Sequence, residues 1–292
     1  MIKKIILVII VLGLIAYYWF FKGVIQQKFI SDEIENPERL KKVLNIAHRG
    51  ASGYAPENTI SAFIKALDFR PDMIELDIHM SSDGEAIVIH DATLERTTNG
   101  EGLVVEKTLS ELKKLDAGSW YGGSFSGESI PELGEVLDRI NGQSILLIEI
   151  KRGENGVYRG LGKKVVDIID SRKARPWCIV QAFDSNYIKE VNKYAPGIKT
   201  QKLIVQNLDW LPLYVDVKFQ TGAPDDDIEI EALNSYYKFL TRSRVDSRHN
   251  AGYETYVYTI NDEPTMKKLI NMGVDGIITN YPDRLLNLKL NQ

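Results

Sequence analysis

The chain has 292 residues, 44% of them hydrophobic and 26% charged, with a formal net charge of -4. That length supports one large core, and a barrel of alternating strands and helices, typically about 250 residues, fits within it. The acidic balance argues against a general nucleic-acid binder, and a lone cysteine, Cys178, excludes an intrachain disulfide or a cysteine zinc cluster.

Residues 5–21 form an unbroken apolar run behind Lys3 and Lys4. At the helical rise this run spans about 26 Å, near the lower limit for crossing a bilayer. It ends in Tyr17, Tyr18, Trp19, Phe20 and Phe21, an aromatic belt instead of the small residues of a cleavage site. Residues 1–30 therefore read as an uncleaved transmembrane anchor and its juxtamembrane segment. Lys3 and Lys4 place the N-terminus inside and the body on the extracytoplasmic side, opposed in part by Lys22 and Lys28.

From residue 41 to 290, apolar runs alternate with amphipathic stretches. Strands are predicted at 43–47, 73–78, 144–150, 177–181, 198–203, 214–219, 255–259 and 276–279, with a short extra strand at 86–90. Helices are predicted at 59–69, 110–115, 133–140, 160–171, 185–193, 228–240, 241–251 and 263–272. Asn58 and Ser185 serve as N-caps and Gly273 as a C-terminal stop. Eight strands alternating with helices predict an α/β fold, a TIM (β/α)8 barrel. Residues 91–132, rich in glycine, are too long for an ordinary loop and predict a small inserted subdomain after the second strand. Cys178, within an apolar run, reads as core.

Chemistry-bearing side chains gather where these strands end. Glu75, Asp77 and His79 are spaced by two, which puts them on one face of a strand otherwise apolar at Met73 and Ile78. Buried carboxylates are costly without compensation, and a divalent cation removes the problem; oxygen ligands favour Mg²⁺ or Ca²⁺ over zinc. Glu149 and Lys151 repeat the spacing at the end of another apolar run, which makes Glu149 a third metal ligand and Lys151 a partner for an anionic substrate. His48 and His90 each end an apolar run and predict a general acid and a general base, and Arg49 offers a fork suited to phosphate oxygens. Together these residues predict attack at a phosphodiester. Glu57 is placed to orient a neighbour, while His249 and Ser185 read as surface and cap. Nucleotide-binding glycine loops and a GxSxG nucleophile motif are absent from the sequence.

The segments AHRGASGYAPENTISAF, IELDIHMSSDGEAIVIHDATLERTTNGEG, LDAGSW, IPELGEVL, LLIEIK, VYTIND and VDGIITNYPDRL resemble the glycerophosphodiester phosphodiesterase family, in order from about residue 46 to 285. The resemblance implies a TIM barrel with an insertion after the second strand and hydrolysis of glycerophosphodiesters to glycerol 3-phosphate and an alcohol. It places the acid/base pair on His48 and His90, a phosphate contact on Arg49, metal ligands on Glu75, Asp77 and Glu149, and the motif lysine on Lys151. His79 falls outside the chemistry it implies. Two positions depart from the family pattern: Tyr258 stands where tryptophan is usual, and Asn280 where aspartate is usual. Trp120 and Phe183 offer compensating apolar contact for the substrate, though Trp120 reads equally well as a pin holding the insertion to the barrel. Lysophospholipase D cleavage at a membrane surface would use the same residues. A non-catalytic anchored binding protein is opposed by the complete set of histidines and carboxylates. The partners expected are a small-molecule substrate and, through the N-terminal helix, a membrane.

Overall fold

Strand β1 (Leu44–Ala47) pairs in parallel with two neighbours at once, β2 (Met73–Met80) and the last strand of the chain, and that double pairing closes the sheet into a ring. The short β3 (Ala86–Val88) runs antiparallel along β2, outside the ring, with His79 opposite Ile87. Then follow β4 (Ile145–Ile150), β5 (Cys178–Ala182) and β6 (Lys199–Ile204). A small antiparallel sheet of β7 (Gln206–Leu208), β8 (Leu213–Val215) and β9 (Thr221–Gly222) interrupts the alternation before β10 (Ala232–Tyr236), β11 (Glu254–Tyr258) and β12 (Gly276–Thr279). The parallel ring is β1, β2, β4, β5, β6, β10, β11 and β12, a TIM barrel. This computed structural model describes residues 11, 13–15, 17, 18, 31, 33–208, 213–215, 221, 222 and 228–291.

The period of two along each strand divides its side chains between two cores. Ile46, Met73, Leu147, Ile179, Tyr256 and Ile278 pack together as one cluster, while the alternating Ile74, Leu76, Leu146, Ile148 and Val180 pack with Val165 and Ile169 of the helix Leu161–Ser171. Continuing the first set toward the strand ends gives Glu75 and Asp77 after Met73, and Glu149 after Leu147. The acidic residues thus occupy the same row as the apolar cluster, at the mouth where strands hand over to loops.

The sixth ring strand corrects the sequence reading. Residues 214–219 were expected to supply it, with 228–240 as a helix; the ring strand is Ala232–Tyr236, and 213–215 belong to the small antiparallel sheet. Residues 216–220 lie outside the described residues. The strand escapes the hydrophobic pattern because Asn234 is buried for its hydrogen bonds: its Nδ2 donates to Gln181 Oε1 at 2.7 Å and Gln201 Oε1 at 2.8 Å. Helix starts are also corrected by one residue. Thr59, not Asn58, caps Ile60–Asp68, and Asp184, not Ser185, caps Ser185–Tyr194.

Residues 91–132 contain the turns Val104–Glu106 and Gly123–Phe125 and the short helix Leu109–Leu112. Leu94, Val104, Leu112, Ala117 and Ile130 pack with Ile87 and Ile89 into a separate apolar cluster. Glu128 fastens the segment to the barrel by accepting from Ser61 N at 3.1 Å and Ser61 Oγ at 2.5 Å, at the start of helix Ile60–Asp68.

The apolar run at 5–21, expected to be an anchor, lies largely outside the described residues. Residues 11, 13–15, 17 and 18 are helical, and no helix among the described residues is long and apolar enough to cross a membrane. Asn271, at the end of helix Glu263–Met272, holds the chain's approach to the barrel. Its Nδ2 donates to Ser31 O and Glu33 O at 3.1 and 2.6 Å, and its Oδ1 accepts from Glu35 N at 3.0 Å. Helix and strand alternate in direction, so this contact lies at the end of the barrel opposite the strand C-termini.

Candidate active site

Asp77 and Glu149 are register partners across β2 and β4, and Glu75 precedes Asp77 on the same face. All three carboxylates are buried, and one oxygen from each lies within 4.8 Å of the others. Two cations answer them. Lys151 Nζ sits 2.5 Å from Glu149 Oε1 and 2.9 Å from Asp77 Oδ1. Arg49 Nε sits 3.1 Å from Asp77 Oδ2, and Arg49 N donates to Glu75 Oε2 at 2.9 Å. Burial, and after it the charges of Asp77 and Glu149, push the Glu75 carboxyl well above its ordinary range. Burial would raise Asp77 too, but Lys151 and Arg49 hold it well below. Burial likewise disfavours the Lys151 ammonium, yet Asp77 and Glu149 lift it to about 12.

The acidic triad fits a divalent cation. Three carboxylates face two cations, and the raised Glu75 carboxyl marks the one left without a partner charge. Asp77 Oδ1 and Glu149 Oε1 are buried, and both face the single ammonium of Lys151. Hard oxygen donors at this spacing, without a nitrogen or sulfur among them, suit an ion of the Mg²⁺ or Ca²⁺ kind.

Both histidines reach the mouth with one ring nitrogen already fixed. His48 Nδ1 lies 2.6 Å from Asn280 Oδ1; an amide oxygen only accepts, so Nδ1 carries the proton and Nε2 keeps its lone pair. Burial and the neighbouring Arg49 push the His48 imidazolium down to about 3, so the ring is neutral near pH 7. His90 Nδ1 lies 2.6 Å from Asp91 Oδ1, a carboxylate partner in place of an amide. His79 stands in the acidic row but is spent elsewhere. Its Nε2 donates to His90 O at 2.9 Å and its Nδ1 accepts from Tyr158 Oη at 2.9 Å, so it holds the backbone of His90.

A cavity of about 160 Å³ gathers His48, Arg49, Glu75, His90, Glu149 and Lys151 under a wall that includes Phe183 and Tyr258. The Phe183 and Tyr258 rings meet edge to face at 6.3 Å, and Tyr258 Oη donates to Ile204 O at 2.9 Å, which fixes the far end of the ring. Trp120 does not join this lining: it is 41% exposed, donates Nε1 to Ala117 O at 2.9 Å within its own turn, and meets Tyr121 edge to face. The cavity adjoins a groove of about 390 Å³ that shares His90, Glu149, Lys151 and Phe183 and adds Thr93, Arg152 and Glu154.

Several residues of the site are invisible to sequence spacing. Asn58, expected as a helix cap, adopts a φ of 57° and turns its amide onto Asp77, with Nδ2 donating to Oδ2 at 2.8 Å and Oδ1 accepting from Asp77 N at 3.2 Å. Asn280 serves His48 from the far end of the chain. Arg96 bonds both Asp91 and Glu57, and Glu57 Oε1 accepts from Arg49 Nη1 at 2.7 Å. Glu57, read as an orienting group, and Asn280, read as a departure from the family pattern, were the available signals, and neither named its partner.

Comparison with known proteins matches this geometry. Residues 48–284 match the glycerophosphoryl diester phosphodiesterase family. The chain is 38% identical over 253 residues to a glycerophosphodiester phosphodiesterase of Caldanaerobacter subterraneus subsp. tengcongensis, covering 85% of this chain and 98% of that one. It is 34% identical over 264 residues to one of Bacillus subtilis, covering 85% and 87%. Among solved structures, an Oleispira antarctica phosphodiesterase in complex with the product sn-glycerol-3-phosphate superposes with a TM-score of 0.73 at 28% identity, covering 85% of this chain and 96% of that one. Barrel, acidic triad and paired histidines thus coincide with a family match over most of the chain, and the chain belongs to the glycerophosphoryl diester phosphodiesterase family, whose members hydrolyse glycerophosphodiesters.

Proposed function

We propose that the cavity cleaves small glycerophosphodiesters to glycerol 3-phosphate and an alcohol, with His48 as proton acceptor and His90 as proton donor. The observation that carries this reading is the lining of one cavity by both histidines, both cations and two of the three carboxylates. His48 Nε2 takes the proton of the attacking oxygen, which comes from water or from the substrate's own glycerol 2-hydroxyl. The new P–O bond forms as the bond to the alcohol breaks, and His90 supplies the proton that the departing alkoxide needs; attack by water gives glycerol 3-phosphate directly, whereas attack by the 2-hydroxyl gives a cyclic phosphate that water then opens, with His90 taking the water's proton and His48 returning one to the 2-oxygen. Arg49 and Lys151 face the phosphoryl oxygens and offset the developing charge. Glu75, Asp77 and Glu149 would hold Mg²⁺ or Ca²⁺, which contributes Lewis acidity at those oxygens. Phe183 and Tyr258 support the glycerol carbons, and the adjoining groove leaves room for the alcohol half.

The fixed approach of the chain favours soluble diesters over lysophospholipids. Asn271 holds Ser31, Glu33 and Glu35 at the end of the barrel opposite the cavity. If residues 5–21 anchor the protein, the chain joins the barrel at that end, opposite the mouth that admits substrate.

Four outcomes test this reading. Release of glycerol 3-phosphate from glycerophosphocholine should stop on exhaustive chelation and return with Mg²⁺ or Ca²⁺, and His90→Ala should lower kcat by about 10²–10⁴-fold with an unchanged unfolding temperature; hydrolysis that survives chelation contradicts the metal assignment, and near-normal turnover by the variant contradicts the role of His90. Asn280→Asp sets a carboxylate against His48 Nδ1 and stabilises its imidazolium. A base must be unprotonated, so the acid limb of kcat/KM should move to higher pH by about one pH unit; an unmoved limb argues against His48 as the base. Cell fractionation should find the full chain in the membrane and a chain lacking residues 1–30 in the soluble fraction, still active. A soluble full-length chain contradicts the anchor.

A further inference from the structure

Arg96 lies outside the cavity lining, yet among the described residues its guanidinium touches the supports of both His90 and Arg49. Its Nε donates to Asp91 Oδ2 at 2.5 Å, while Asp91 Oδ1 holds His90 Nδ1 at 2.6 Å. Its Nη1 and Nη2 fork onto Glu57 Oε2 and Oε1 at 2.9 and 2.7 Å. Glu57 Oε1 also accepts from Arg49 Nη1 at 2.7 Å, and Arg49 Nε reaches Asp77 at 3.1 Å. One continuous chain of contacts therefore runs from His90 through Asp91, Arg96 and Glu57 to Arg49 and the acidic triad.

We propose that Arg96 is a positioning residue that fastens the proton-donating His90 to the phosphate-facing Arg49 through the carboxylates of Asp91 and Glu57. The proposal rests on the functional reading above and assigns Arg96 no contact with substrate. A planar fork is required: three donors on one rigid frame meet two carboxylates at once, which a lysine ammonium on a flexible stem does not reproduce. The frame is itself held. Arg96 belongs to the turn Leu94–Thr98, in which Leu94 is buried in the cluster of residues 87–130 and Leu94 O accepts from Thr98 N at 3.1 Å and Thr98 Oγ1 at 2.7 Å. Residues 91–132 thus deliver a side chain that spans the distance between two loops of the barrel mouth. Isolated surface ion pairs contribute little to stability, and the Arg96 side chain is 43% exposed. Its bidentate geometry, and its position between two groups of the site, set it apart from such a pair.

The test measures Arg96→Gln, Asp91→Asn and the double variant on two substrates, glycerophosphocholine and glycerol 3-(p-nitrophenyl phosphate). The aryl leaving group departs without a proton, so it bypasses His90. With glycerophosphocholine, Arg96→Gln should lower kcat by about 10–100-fold with a smaller change in KM. With the aryl substrate the loss should shrink to about threefold or less. The double variant should be no more than about threefold slower than the worse single variant, because both act on one chain of contacts. An equal loss on both substrates, effects of the single variants that multiply in the double, or near-normal turnover by Arg96→Gln each overturns the assignment while leaving the functional reading intact. A wild-type protein that cleaves neither diester, or a His90→Ala variant with normal turnover, overturns the functional reading and Arg96 with it. Unfolding temperatures of all variants exclude a loss caused by a failure to fold.

Discussion

Everything at the barrel mouth answers to three carboxylates, those of Glu75, Asp77 and Glu149, packed with oxygens within 4.8 Å and removed from water. Strand geometry makes the crowding unavoidable: a period of two sets Glu75 and Asp77 on one face, and parallel register sets Glu149 opposite Asp77. Buried anions of one sign cannot coexist uncompensated in a medium that solvates them poorly. Lys151 and Arg49 supply two of the three charges needed, both within about hydrogen-bonding reach of Asp77. A divalent cation held by the three carboxylates would offset the third, Glu75, and the acids already orient the two cationic side chains beside them.

The backbone around the mouth accepts strain to meet these demands. Arg49 and Asn58 both sit at left-handed φ, 54° and 57°, and Asn58 N donates to Arg49 O at 3.1 Å. Left-handed conformations are unfavourable for residues with a β-carbon and persist where surroundings dictate them. Here the return is specific: Arg49 can point both its amide and its guanidinium at the acids, and Asn58 can clamp Asp77. Between them Gly50, at φ 80°, passes so close to Ala62 that a β-carbon would fall 2.6 Å from its backbone. The HRG and PENT segments are the two ends of this strained loop.

Much of the site was legible because strand periodicity and burial are local. Glu75, Asp77, Glu149 and Lys151 sit at regular spacings in apolar runs, so their shared face follows from counting residues. His48 and His90 stand at strand ends, which the barrel architecture makes chemically active. Asp91, the partner of His90, is its neighbour in sequence, but the other supports were not legible as pairs. Asn280 is 232 positions from His48, and Glu57, which reads as an orienting group without a named partner, is 39 from Arg96, so only the closed fold brings them together. The sixth ring strand was missed for a related reason: Asn234 is buried to satisfy Gln181 and Gln201, and a polar residue inside a barrel looks like a solvent face when read alone. His79 shows the reverse, a histidine in perfect period with the acids whose ring is taken by Tyr158 and by His90 O.

The central claim, that the acidic triad requires a divalent cation, is tested most directly without turnover. Calorimetric titration of Mg²⁺ and of Ca²⁺ into chelator-treated protein, with Glu75→Gln and Glu149→Gln alongside, reads the site itself. The account predicts one saturable equivalent in the wild type, a rise in unfolding temperature on binding, and loss of both in either variant. An unloaded wild-type protein that binds neither ion, or variants that bind as tightly as the wild type, would contradict it.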